Sequence, residues 1–336
     1  MDASRPDVRI KTRFLIISDT HGAESLPGNS AAPVQADVVI HCGDLTQHSR
    51  LAEFRSTVNL MRTIDAPLKL LVAGNHDFTL DVPVFRNKVA EMPQPVDMDL
   101  VRGEFGDFGE ARQALLESCA ENGIVFLDEG TRTFTLANGA SLTVFASPYS
   151  YAPQPNDWGF EGGPGKEHEW AEATWPWTSS SPTALRMAPW TAQPRRIRCG
   201  SAVGGLFAAV ARAKPRMHCF GHVHQGWGAK LVRWRRGLVD YEAVQHFSAV
   251  DIDGSFVVET LASLVAGPFD APDVVDAKME KLQASMARGY VATSHCADDD
   301  HPLHAGENTL FVNAAVGRHE QQPPWIIDIE LARASS

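Results

Sequence analysis

Eight side chains able to bind cations or move protons stand in four short blocks: Asp19-Thr20-His21, Gly43-Asp44, Gly74-Asn75-His76-Asp77 and Gly221-His222-Val223-His224. Carboxylate oxygen and imidazole nitrogen are donors that hard and borderline divalent cations accept. Asp19 and His21, two residues apart, can grip one ion. Asp44 can bridge two, one through each oxygen. Asn75 offers a neutral carbonyl oxygen to the second ion, and His222 and His224 can divide between the two. A pair of cations about 3.5–4 Å apart lowers the pKa of a shared water and clamps the attacking and leaving oxygens of a displacement. That chemistry is phosphoester hydrolysis.

Each block follows a run that reads as a buried strand: Phe14-Leu15-Ile16-Ile17, Val38-Val39-Ile40, Leu70-Leu71-Val72 and Met217-His218-Cys219-Phe220. Donors just past the carboxyl ends of such strands meet at one sheet edge, where α/β folds place their sites. Gly43, Gly74 and Gly221 stand where strands must turn sharply beside the donors. Apolar spacing predicts helices over residues 51–64, 110–122, 204–213 and 273–288. Strands are predicted over 124–127, 131–136, 142–146, 309–313 and 325–331, with Asn138-Gly139 as a hairpin turn. The order changes from α/β to β-rich, so the expected fold is α/β: a two-sheet β-sandwich flanked by helices. One domain is expected over residues 12–331, with an irregular Pro-, Trp- and Ser-rich stretch at 150–200 and a polar excursion at about 261–305.

Composition narrows the function classes. The chain has 336 residues, 44% hydrophobic and 21% charged, enough to bury a full core. Its net charge of −11 argues against bulk nucleic-acid binding, which needs many neutralised phosphates, and so against a DNA nuclease. The five cysteines form no C-x-x-C pair, which fits reduced thiols in a reducing compartment. The first eleven residues are charged and lack an apolar signal core, and no apolar run approaches the ~20 residues of a membrane span. A cytoplasmic protein without membrane contact is expected; oligomeric state cannot be read from the sequence.

The motifs ISDTHG (17–22), HCGDLT (41–46), GNHD (74–77), ASPY (146–149), FGHVHQGWG (220–228), LFVNAAV (310–316) and PPWIIDIEL (323–331) cover nearly the whole chain. In these the sequence resembles the calcineurin-like metallophosphoesterases, specifically the branch of metallophosphoesterase domain-containing proteins. The resemblance implies a four-layer αββα fold, the metallo-dependent phosphatase-like architecture. It implies that Asp19, His21, Asp44 and His224 hold one metal, and Asp44, Asn75 and His222 the other. It makes His76 the group that steadies the phosphate or protonates the leaving oxygen, oriented by Asp77. The cofactors would be two divalent ions (Mn, Fe, Zn or Mg), and the substrate a small phosphodiester or phosphomonoester attacked by a metal-bridging hydroxide. His41 and His218 read as core or supporting histidines, and Asn313 as a residue shaping the site. His48, His168, His246, His295, His301, His304 and His319 read as surface groups.

One family block is missing. Between ASPY and FGHVHQGWG the pattern has a strand ending in Thr-His-Gly-Pro-Pro, whose histidine completes the second metal site. Residues 178–191 contain neither that histidine nor a recognisable strand. With a G before the first codon, the neighbouring frame of this segment permits Asp-Val-Val-Val-Thr-His-Gly-Pro-Pro-His-Gly-Ala-Leu-Asp, and serine codons of the TCN type leave only apolar residues at all three Val positions. This points to a frame-shifted reading across about 173–198. Without the histidine, weakened second-metal affinity and impaired hydrolysis are expected. The alternative is a degenerate metal-binding scaffold of the same fold without significant catalysis.

Overall fold

The computed structural model describes residues 8–28, 34–151, 158–162, 168, 184–187, 202–237, 246–317 and 322–335. In chain order, strand β1 (Arg9–Ile17) leads to β2 (Val38–His41), helix α1 (Leu51–Thr63) and β3 (Leu68–Val72). Helices α2 (Val82–Glu91), α3 (Met98–Phe105) and α4 (Glu110–Glu121) follow, then β4 (Ile124–Leu127), β5 (Gly130–Thr135) and β6 (Ser141–Ala146). The short β7 (Ser150–Tyr151), β8 (Glu161–Gly162) and β9 (Ala184–Met187) precede α5 (Ala202–Ala213), β10 (Met217–Phe220) and β11 (Gly228–Trp234). The last elements are α6 (His246–Ala249), β12 (Val250–Thr260), α7 (Pro272–Arg288), β13 (Val291–Ser294), β14 (Asn308–Asn313) and β15 (Trp325–Ala332).

Two mixed sheets carry the fold. One runs β13-β15-β1-β2-β3-β4 and the other β12-β11-β14-β10-β9-β6-β5. Side chains alternate across a strand, and the two faces of β1 separate cleanly on that rule. Phe14 and Ile16 join Val38, Ile40, Leu142, Val144, Met217, Leu310 and Val312 in the core between the sheets. Leu15 and Ile17 join Val39 and Leu71 on the opposite face, under Phe54, Val58 and Met61 of α1 and Leu115 of α4. On the far side of the second sheet, Leu206, Phe207 and Val210 of α5 pack on Val232 and Trp234. The result is the four-layer αββα sandwich expected from the sequence.

Two stretches carry more than the sequence reading names. The polar stretch at 261–305 holds the expected helix as α7 and then β13, which pairs parallel with β15 as an outer strand of the first sheet. The 178–191 segment is also not strandless. Ala184–Met187 pairs parallel with β6 on one side and β10 on the other. The reason is backbone satisfaction. With no strand between them, β6 and β10 would leave their facing N–H and C=O groups unpaired inside the sheet. The rest of that segment, including position 183 where the frame-restored histidine would fall, lies outside the described residues.

Candidate metal centre

The donors stand where the strands end. Asp19 and His21 follow β1, Asp44 follows β2, Asn75 and His76 follow β3, and His222 and His224 follow β10. Backbone bonds lace the loops together: Asp19 N–H donates to Gly43 O (2.9 Å), His21 N–H to Asp44 O (3.1 Å) and Gly22 N–H to Leu45 O (2.7 Å). The second sheet is tied in by His222 N–H, which donates to both Asp19 carboxylate oxygens at 2.9 and 3.0 Å. Gly221 permits that approach, because a Cβ there would collide with Asp19 Oδ2 and Ser18 Oγ. A Cβ on Gly74 would likewise strike the backbone and carboxylate of Asp44.

Asp19, His21 and His224 bring one ligand atom each within 4.8 Å of one another, as do His21, Asp44 and His76. His224 Nε2 lies 3.2 Å from Asp19 Oδ1. His222 Nδ1 lies 2.8 Å from Asn75 Oδ1 and 3.9 Å from Asp44 Oδ2. All six expected ligands are thus drawn into one cluster, with Asp44 touching both halves, and His76 joins them.

The donors fit a divalent cation on observations independent of motif. Asp19, His21, Asp44 and His222 all have positive φ, between 50° and 70°. Non-glycine residues pay for that conformation, and such strain gathers at functional sites. His21 Nδ1 lies 3.1 Å from the Thr46 carbonyl, so Nδ1 carries the proton and Nε2 keeps its lone pair, the state a cation needs. Burial lowers the His21 pKa, outweighing the pull of Asp44 and Asp19, so the ring is held neutral. Asp44 is held far below the ordinary carboxylate range. Burial opposes its charge, but His222, 3.9 Å away, and the charges of His76 and His21 prevail. For His222, burial is outweighed by the nearby Asp44 carboxylate, with Asp19 adding to it, and the pKa rises.

The supporting residues differ from expectation in one respect. Asp77 does not orient His76. Its buried carboxylate accepts from the backbone N–H groups of Gly74 (2.8 Å), Leu45 (3.1 Å) and Thr46 (2.9 Å), and from the Thr46 hydroxyl (2.7 Å). Those bonds lock the third loop onto the second. Burial and the charge of Asp44 push Asp77 up to about 7, against the donors that favour its ionised form. His76 is oriented instead by the Gln47 carbonyl, 2.9 Å from its Nδ1. Sequence reading missed both Gln47 and Thr46, because a backbone carbonyl leaves no mark on residue type. It also missed Trp158, whose ring centroid lies 4.3 Å from that of His76.

The other candidates find places as well. His41 is fully buried and bonded at 2.8 Å to the hydroxyl of Thr20, between two expected ligands. His218 lies in the core. Asn313 donates to Val223 O at 2.8 Å and so braces the loop carrying His222 and His224. His168 and His295 are not free surface groups. His168 contacts Glu129 at 2.7 Å and stacks on Tyr149. His295 is buried against the His301 carbonyl.

Residues 12–226 match the profile of the calcineurin-like phosphoesterases. The chain belongs to that family. Among curated proteins it is similar to Metallophosphoesterase domain-containing protein 1 of human and of mouse. Each is 26% identical over 235 residues, covering 65% of this chain and 62% of the relative. The chain therefore spans less than two thirds of the relatives' length. Probable rhamnogalacturonate lyase C of Emericella nidulans is 24% identical over 69% of this chain, but over only 19% of its own length. Family membership makes this a metallophosphoesterase fold of a kind that generally binds divalent metals, and the clustered donors are candidate metal ligands. Among the described residues, no helix is long and apolar enough to cross a membrane.

Proposed function

We propose that this metallophosphoesterase hydrolyses a small phosphodiester or phosphomonoester using two divalent ions, with Mn²⁺ the first to try. The observation that carries the reading is the convergence of six donors from both sheets around Asp44, with His76 beside them. Asp19, His21, Asp44 and His224 would hold one ion, and Asp44, Asn75 and His222 the other. Two such ions, when bound, supply Lewis acidity and an activated water. The chain's own groups do the rest. Asp19 and Asp44 provide negative charge that would offset part of the charge of the cations, and the substrate phosphate would bind to the remainder. His76, with Nδ1 committed to the Gln47 carbonyl, turns Nε2 to the site, where it can hold or deliver a proton to the leaving oxygen. The buried bonds of Asp77 fix the loop on which His76 rides, so the proton donor stays in register with the ligands. Nothing in the donor set selects one phosphoester, and net acidity disfavours long nucleic acids. A cytoplasmic location is part of the same reading.

The test is hydrolysis of bis-p-nitrophenyl phosphate with Mn²⁺ by three proteins. They are this chain, its Asp44→Asn variant, and a chain with residues 178–191 replaced by the frame-restored block. Turnover by this chain that disappears in Asp44→Asn supports the proposal. Turnover only after restoration makes the missing histidine essential. Mn²⁺ binding with no turnover in any form favours the non-catalytic scaffold, to which the absent histidine already points.

A further inference from the structure

We propose that Trp158 is a positioning residue for His76, held in place by a strained three-residue clamp, Trp158-Gly159-Phe160. The role assigned to His76 rests on the hydrolase reading above; the contact itself does not. The indole lies against the imidazole, centroids 4.3 Å apart and planes inclined by 35°. The imidazole also meets His21 edge-on at 4.7 Å. With Nδ1 fixed by Gln47, the ring has three contacts that hold it, leaving Nε2 as its working atom.

The clamp is built to deliver the indole to that place. Gly159 N–H donates to Asn75 O (2.9 Å), next in the chain to His76 itself. Phe160 N–H donates to Asp81 Oδ2 at 2.9 Å, and Phe160 O accepts from Ser150 N–H at 2.9 Å. Gly159 is required, since a Cβ would come within 2.8 Å of the Phe78 Cα. Phe160 adopts φ of 52°, a costly conformation for a bulky side chain. Phe160 itself packs at the margin of the core under α1 and α4 and edge-on to Tyr149, and the turn it makes leaves Trp158 partly buried beside His76. Lys88 Nζ lies 5.3 Å from the indole centroid and 4.8 Å from that of Phe78, adding cation–π attraction that keeps the indole from swinging out.

The experiment compares Trp158→Ala and Trp158→Phe with the unaltered chain. The readouts are Mn²⁺-dependent turnover of bis-p-nitrophenyl phosphate, Mn²⁺ affinity and the His76 ring-proton resonances of the Mg²⁺-loaded protein, assigned through His76→Gln. Trp158→Ala is expected to lower kcat by about 10- to 100-fold, the range for residues that orient a functional group. KM and Mn²⁺ affinity should stay unchanged, and Trp158→Phe should recover most of the rate. Loss of the indole ring current should also move the His76 signals downfield. Wild-type kcat with unmoved His76 signals would overturn the proposal. So would a loss of rate matched by an equal loss of Mn²⁺ affinity and melting temperature, which is the pattern of general loosening. If neither the unaltered nor the frame-restored chain shows turnover, the hydrolase reading fails by itself, and the His76 signals still decide whether Trp158 holds the ring.

Discussion

At the scale of single residues, the centre separates groups that face the cations from groups that hold those in place, and Asp77 belongs to the second kind. Replacing it with Asn puts an amide N–H where carboxylate oxygens now accept three backbone N–H groups and a hydroxyl. Asp77→Asn should therefore cost about 2 kcal/mol of stability, by the cost of leaving buried donors unsatisfied. His76→Ala should lower turnover with little effect on the urea midpoint. If Asp77→Asn unfolds at the same urea concentration as the parent, the bracing role is wrong. The difference between Asp77 and the ligands also shows what was legible in the sequence. Asp19, His21, Asp44, Asn75, His222 and His224 could be found because few side chains offer a cation a lone pair, and they recur after strands. Asp77 has the same chemistry, but its use depends on which loop lies above it. Gln47 works through its carbonyl, which every residue possesses, and Trp158 stands in Pro- and Trp-rich sequence with no period to follow.

At the scale of elements, the continuously apolar strands buried on both faces were legible. The apolar runs of β1, β2 and β3 have one face against the other sheet and one against helices, so nearly every position is buried. By contrast, β12 leaves Ile252, Phe256 and Val257 exposed at the sheet edge, and β9 is recognisable only from the slot it fills. The partners of β1 are also held electrostatically. Arg13 of β1 contacts both carboxylate oxygens of Asp328 on β15 at 2.8 Å, and Lys11 lies 3.1 Å from the same carboxylate. Burial opposes the charge of Asp328, but the bonds from Arg13 and Lys11 prevail and lower its pKa. Its ionised form is therefore favoured in the folded state. That contribution is present above the ordinary carboxylate pKa and is lost as pH falls through the lowered one. Both cations are half or more exposed, so solvent screening limits Asp328→Asn to a loss of about 1–2 kcal/mol at pH 7. Urea titrations at pH 7 and pH 2.5 should show the difference between parent and variant shrinking at the lower pH; a constant difference would rule the ion pair out as its cause.

For the whole molecule, the acid limit of stability is set in part by a histidine that binds nothing catalytic. Burial depresses His41 to about 4, against the attraction of Asp19 and Asp44. The folded protein keeps the ring neutral while the unfolded chain takes up its proton near 6.5. Acidification from about 6.5 towards 4 thus favours unfolding, and this one group accounts for about 3 kcal/mol across the window. In EDTA, where metal release cannot intervene, the parent should lose more stability between pH 7 and pH 4.5 than His41→Gln. Equal losses would assign the acid sensitivity elsewhere. The seam at Gly221, where His222 N–H reaches the Asp19 carboxylate, has a further consequence for biosynthesis. Asp19, His21, Asp44 and Asn75 leave the ribosome with β1, β2 and β3, whereas His222 and His224 emerge about 150 residues later, by the spacing in the chain. Until β10 of the second sheet has joined these strands, the nascent chain carries an unfinished set of donors. The complete donor set is thereby reserved for molecules that bring both sheets together, and a chain interrupted before residue 221 cannot assemble the centre.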